Sequence, residues 1–191
     1  MSTLNVTNIK AADGTSSLSI ANSTGVVTTS AGFNNYASAS SGGGTTINPT
    51  LTDIPSWANE ITVSFFNLSA AGTADTMFRA AVGGSVVTTN YQYTGLYTQS
   101  GSTTISNRSA GGDGGFAFYG WTAANNNMNG TVTFTRAGTS SYVAFGQHYN
   151  HAYATYQISF MGRVALSGAI SGISLYNSTN FDGGDVRVFW R

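Results

Sequence analysis

The chain has 191 residues, of which 7% are charged, and its seven basic and seven acidic side chains cancel, against roughly 25% charged residues in ordinary soluble domains. Bulk charge therefore recruits nothing: nucleic acid calls for a basic stripe and an anionic membrane surface for clustered Lys and Arg, whereas this chain has one Lys and six scattered Arg. Cysteine is absent, which excludes disulfides and thiolate chemistry, while 13% aromatic residues argue for a folded core rather than a disordered polar chain.

The N-terminus, Met1 to Thr7, has neither a basic segment nor an apolar run of signal-peptide length. No stretch approaches the roughly 20 apolar residues of a membrane-spanning helix. The expectation is synthesis in a cytoplasm and no membrane insertion. Leu4, Val6 and Ile9, then Leu18 and Ile20, then Val26 and Val27 make three short strand-like patches, and no aromatic residue precedes Phe33. Patches so brief cannot bury a core alone, so they are expected to dock on a partner surface. Ser38 to Thr46, with Gly42, Gly43 and Gly44 in it, reads as a flexible junction. Residues 1–40 are accordingly assigned to an attachment arm and linker, and residues 41–191 to one β-sandwich.

Within the second part, apolar residues alternate as half-buried strands require. Ile61, Val63 and Phe65 share one face of Glu60–Phe65, and Val132 and Phe134 lie on one face of Thr131–Arg136. Tyr156, Ile158 and Phe160 face together in Ala154–Phe160, as do Val186, Val188 and Trp190 in Asp185–Arg191. Val82–Thr89, Phe116–Trp121, Ser141–Gln147 and Gly172–Tyr176 are further candidates. Turns are expected at Gly111–Gly115, Asn125–Gly130 and Asp182–Asp185, where positive φ is cheap. A single helical turn is expected at Ile54–Asn59, with Pro55 at its first helical position. Many short strands with almost no helix predict an all-β, antiparallel, jelly-roll-like sandwich with a short N-terminal β-arm.

Few residues offer chemistry. His148 and His151 are three apart and could share a metal, but no third ligand lies near in sequence, and a solvent-facing or inter-subunit pair suits them better. Asp182, Asp185 and Asp113 sit among glycines, where calcium ligation and ordinary turn chemistry use the same residues. Seven acids spread mostly over turns provide no facing carboxylate pair, and neither a nucleophile elbow nor a phosphate-binding loop is present, so neither catalysis nor a cofactor is expected. Tyr91, Tyr93 and Tyr97, then Tyr149, Tyr153 and Tyr156, cluster with Gln, Asn and His. About half are expected in the core, and the rest at subunit contacts or glycan-binding loops. Tyr91, Tyr93, Tyr97, His148, Tyr149, His151 and Tyr153 are the candidate contact residues.

Asp53-Ile54-Pro55-Ser56-Trp57-Ala58-Asn59-Glu60-Ile61-Thr62-Val63, with Ile170 to Leu175 and Phe181-Asp182-Gly183-Gly184-Asp185-Val186, resembles a β-rich C-terminal domain of tailed-bacteriophage virion proteins. That domain has an Ile-Pro-Ser-Trp lead into its first long strand and a Phe-Asp-x-Gly stop before its last. Leu4 to Lys10 and Ala12 to Thr15 are similar to the attachment segment of phage fibre and head-appendage proteins. The resemblance covers about a third of the chain. The family's usual basic residue in the first strand is absent, Asn59 and Glu60 standing there. The resemblance implies a non-enzymatic structural or adhesive component of a virion surface, usually trimeric. Two expectations follow. One is a capsid decoration or cement protein, trimeric and held by its arm to the major capsid protein or another virion protein. The alternative is a receptor-binding fibre module for host carbohydrate. A chain of this length lacks the shaft of a complete tail fibre, which favours the first.

Overall fold

The computed structural model describes residues 8–10, 16–20, 27–29, 36–99, 105–118, 127–150 and 156–191. Sixteen strands run through them in chain order. They are β1 (Asn8–Lys10), β2 (Ser16–Ile20), β3 (Val27–Thr29), β4 (Tyr36–Ser40), β5 (Thr46–Thr50) and β6 (Glu60–Ala70). Next come β7 (Thr76–Val82), β8 (Ser85–Val86), β9 (Tyr91–Gln99), β10 (Ile105–Asp113) and β11 (Phe116–Phe118). The last are β12 (Met128–Arg136), β13 (Ser141–Asn150), β14 (Tyr156–Ala165), β15 (Gly172–Tyr176) and β16 (Phe181–Trp190). All pairings are antiparallel, and no helix occurs among the described residues.

Two sheets make the sandwich. One has eight strands in the order β10-β9-β14-β13-β12-β6-β16-β4, and the other has five, β11-β7-β15-β5 with β8 paired to β7. Within them, β4-β16-β6-β12 faces β5-β15-β7-β11. Along the chain these eight strands change sheet at every step except β7 to β11, which is the paired Greek-key path of a jelly roll. Strands β8, β9, β10, β13 and β14 are insertions into this path. Of these, β9, β10, β13 and β14 extend the first sheet beyond β12, and the extension curls back over β11. There Tyr91 meets Phe116 edge-on at 4.9 Å, and Phe160 stacks on Phe116 at 5.2 Å.

Alternation sets which residues face inward. Ile61, Val63, Phe65, Val132, Phe134, Ile158, Phe160, Val186 and Val188 are all buried in one core with Phe78, Phe116, Phe118, Ile173 and Leu175 of the opposing sheet. The curled part has too little room for a large side chain at every inward position. Glycine answers this: Phe160 lies directly between Gly146 on β13 and Gly95 on β9, and Gly162 lies beside Tyr93. A Cβ on Gly146 would sit 2.8 Å from the Phe118 ring and closer still to that of Phe160.

Several local expectations are corrected. Ser38–Ser40 are not a linker but part of β4, whose Ala37, Ala39 and Tyr36 pair with Val188, Val186 and Phe189, so the sandwich includes residues assigned to the arm. Asp182–Asp185 is not a turn between strands. It is a doubly bulged stretch inside β16, made possible by Gly184 at φ +105° lying against a second irregularity at Asn67, φ +50°, in β6. Asn129 Oδ1 accepts from the Asn67 N–H at 2.9 Å. Met128–Gly130, expected in a turn, open β12, and Gly111–Asp113 end β10. Ile54–Asn59 makes one turn, with the Ala58 N–H donating to the Pro55 carbonyl, and no helix. The hairpin of β9 and β10 has no counterpart among the expected strands.

β1, β2 and β3 form a three-stranded sheet of their own. Its register sets Ile9 opposite Leu18 and Ile20 opposite Val27, so separate patches of the sequence become neighbours. Leu4, Val6 and Val26 lie outside the described residues.

Candidate interaction surface

Burial overturns several expected contact residues. Tyr91 is wholly buried; its hydroxyl accepts from the Ala80 N–H at 2.8 Å and donates to the Val87 carbonyl at 3.1 Å. Burial pushes its pKa up to about 12. Tyr93 packs against Phe116 and Phe160. Both are core residues, because the curled sheet brings the inward side of β9 over β11. His148 is buried as well, its ring edge-on to Phe118 at 4.4 Å and 6.4 Å from Phe65. Neither of its ring nitrogens has a hydrogen-bond partner. Burial holds its pKa down near 3, so the imidazole is neutral and neither a surface contact nor a solvent-facing half of a pair. Of the expected contact residues whose side chains are described, Tyr149 alone is exposed. Tyr97 lies on β9, and its side chain is outside the described residues, as are His151 and Tyr153.

The acidic loop residues have local partners. Ser69 Oγ donates to Asp182 Oδ1 and Ser40 Oγ donates to Asp185 Oδ1, each at 2.5 Å. Among the described residues no three His, Asp or Glu side chains gather as a metal site. The side chain of Asp113 is outside them.

What emerges instead is a surface. Among the described residues seven large apolar side chains are exposed, and six of them, Phe66, Leu96, Val143, Phe145, Tyr149 and Met161, belong to the eight-stranded sheet. Each alternates with inward core residues, so all six lie on that sheet's outer face. Phe145 sits directly opposite Met161, Val143 is two residues along β13, and Leu96, on the adjacent β9, is the diagonal neighbour of Met161 on β14. Separately, Ser64, Phe66, Asp185 and Arg187 line an open groove of about 240 Å³ on the β6 and β16 side of the same face. The small sheet's outer side is different. Arg79 lies 4.0 Å over the Tyr176 ring and donates to the Gly114 carbonyl, covering that surface with its stem.

Sequence reasoning missed this face, although β13 carried a signal. In Tyr142-Val143-Ala144-Phe145 both alternating sets are apolar, the pattern of a strand covered on both sides. Phe65-Phe66 repeats it on β6.

No family model matches the chain, and no curated protein matches it in sequence. Among solved structures it is similar, at 14% identity and a TM-score of 0.14, to the D431N mutant VP2 protein of Infectious Bursal Disease Virus in derived T=1 particles. That alignment covers 96% of this chain and 44% of the other, a score too low for a shared fold to be read from it.

Proposed function

We propose that this chain is a non-enzymatic structural protein of a tailed-bacteriophage virion: a capsid decoration or cement protein, homotrimeric, held by its N-terminal arm on the particle surface. The observation that carries the reading is the separate β1–β3 sheet, which joins Ile9 with Leu18 and Ile20 with Val27 while sharing no strand with the sandwich. Short strands with free edges dock by adding to a neighbour's sheet, and burial of each large apolar side chain contributes about 1.5 to 3 kcal/mol. The neighbour is the major capsid protein or another virion protein. The likeness of Asp53 to Val63 and of Phe181 to Val186 to phage virion domains supports the same assignment.

The test is deletion of Met1 to Ser30. The truncated chain is expected to keep its far-ultraviolet circular dichroism and nearly its melting temperature, yet to lose cosedimentation with particles that lack the protein. Val6→Asp with Ile9→Asp should weaken attachment likewise, since it buries unpaired charge. Equal binding by the truncated chain refutes the arm as anchor.

One observation favours a second reading, a module that binds host carbohydrate. Phe66 is 64% exposed beside Asp185 and Arg187 in the open groove, an aromatic platform with hydrogen-bonding groups at its rim. Loss of glycan-array binding on Phe66→Ala is the result that would support it, and an array with no binder removes it.

A further inference from the structure

We propose that the outer face of the eight-stranded sheet, centred on Phe145 and Met161, is the surface through which copies of this chain associate. The inference rests on the homotrimer reading above and adds where the protomers meet.

Exposed apolar side chains scattered singly need no partner. Here six of the seven among the described residues fall on one face, and the seventh, Trp57, lies in the turn before β6. At about 200 Å² for each side chain in full, and about half of that exposed, the six present roughly 600 Å² of accessible surface. Divided between Phe66 and the Phe145 cluster, this is at the upper end of the apolar area that monomers expose, and patches of that order are often functional. A stable protein interface takes about 800 Å² from each partner. The threonines and glutamines around Phe145 supply the remainder as a polar rim, the arrangement of interfaces generally.

Charge identifies the occupant. Across β6, β12, β13, β14 and β9, one row of the face reads Ser64, Thr131, Gln147, Ser159 and Leu96, and the next reads Thr62, Thr133, Phe145, Met161 and Thr94. Neither row has a charge, so a basic or acidic partner finds no counter-charge there. Arg163, beside this patch, is already bonded from its Nε to Gln92 Oε1 at 2.8 Å. The strip is uncharged between Glu60 and Arg163 on one side and Asp185 and Arg187 on the other, and its threonine hydroxyls and apolar side chains are matched by another surface of the same kind. This chain supplies one, and its net charge of zero leaves no long-range repulsion between copies. The face also has two unlike apolar patches, Phe66 on one side of the β12 threonines and the Phe145 cluster on the other, which suits a head-to-tail contact closing into a ring better than a twofold pair.

The experiment compares the full chain with F145K/M161K, with L96K and with Trp57→Ser by light scattering at micromolar concentration, with circular dichroism as the check on folding. Expected is a mass near three protomers for the wild type and Trp57→Ser, and near one for F145K/M161K and L96K with an unchanged strand spectrum. If the wild type is trimeric and both lysine variants, folded, stay trimeric, this face is not the interface, although the trimer reading stands. A wild-type monomer overturns both. A folded wild-type monomer that loses glycan-array binding in the lysine variants assigns the face to carbohydrate, and overturns the inference too.

Discussion

Acid should unfold this protein through His148. The folded imidazole has a pKa near 3 because it is buried among Phe118, Phe65 and Ile158, with no charged side chain of the described residues against it. In the unfolded chain the value is about 6.5. Above about pH 6.5 both states carry the neutral ring and the folded state keeps its full stability. As pH falls through 6.5 the unfolded state alone takes up the proton, so stability is lost progressively until pH approaches 3. The linkage gives a loss of about 2 kcal/mol at pH 5 and about 3 kcal/mol at pH 4. Urea unfolding at fixed protein concentration at pH 7, 6 and 5, followed by tryptophan fluorescence, measures it. His148→Leu should abolish the decline between pH 7 and 5. At pH 7 it should be as stable as the wild type or more so, because it removes two ring nitrogens that are buried without partners. Parallel pH dependence in the wild type and His148→Leu would refute the reasoning, for it would place the titrating group elsewhere.

Gly146→Ala should destabilise the fold by about 1 to 3 kcal/mol, as overpacking does, because the added carbon meets the Phe160 and Phe118 rings. Gly42→Ala, where a Cβ meets nothing within 4 Å, should change the melting temperature little. Tyr91→Phe orphans the buried Ala80 N–H and should cost about 1 to 3 kcal/mol in urea unfolding while leaving particle attachment and oligomeric mass unchanged. A Tyr91→Phe chain of normal stability but altered mass would return this residue to the surface.

The class and the phase of the long strands were legible in the sequence. A strand buried on one side must place apolar residues at every second position, and Ile61, Val63 and Phe65, or Val186 and Val188, can satisfy that in one way only. Partnering was not legible, because backbone hydrogen bonds do not distinguish one neighbour from another. That β16 lies between β6 and β4, and that β13, β14, β9 and β10 extend the first sheet, follow from how all the apolar faces close together. The same closure decided the site. From Tyr142 to Tyr149 both alternating sets contain large side chains, so local pattern leaves the inward set undetermined. Curling the sheet over Phe116 and Phe118 buries Tyr142, Ala144 and His148, and turns Val143, Phe145 and Tyr149 to the outer face. β9 follows the same rule: Tyr91 and Tyr93 fill the space above β11, and Leu96 is left outside.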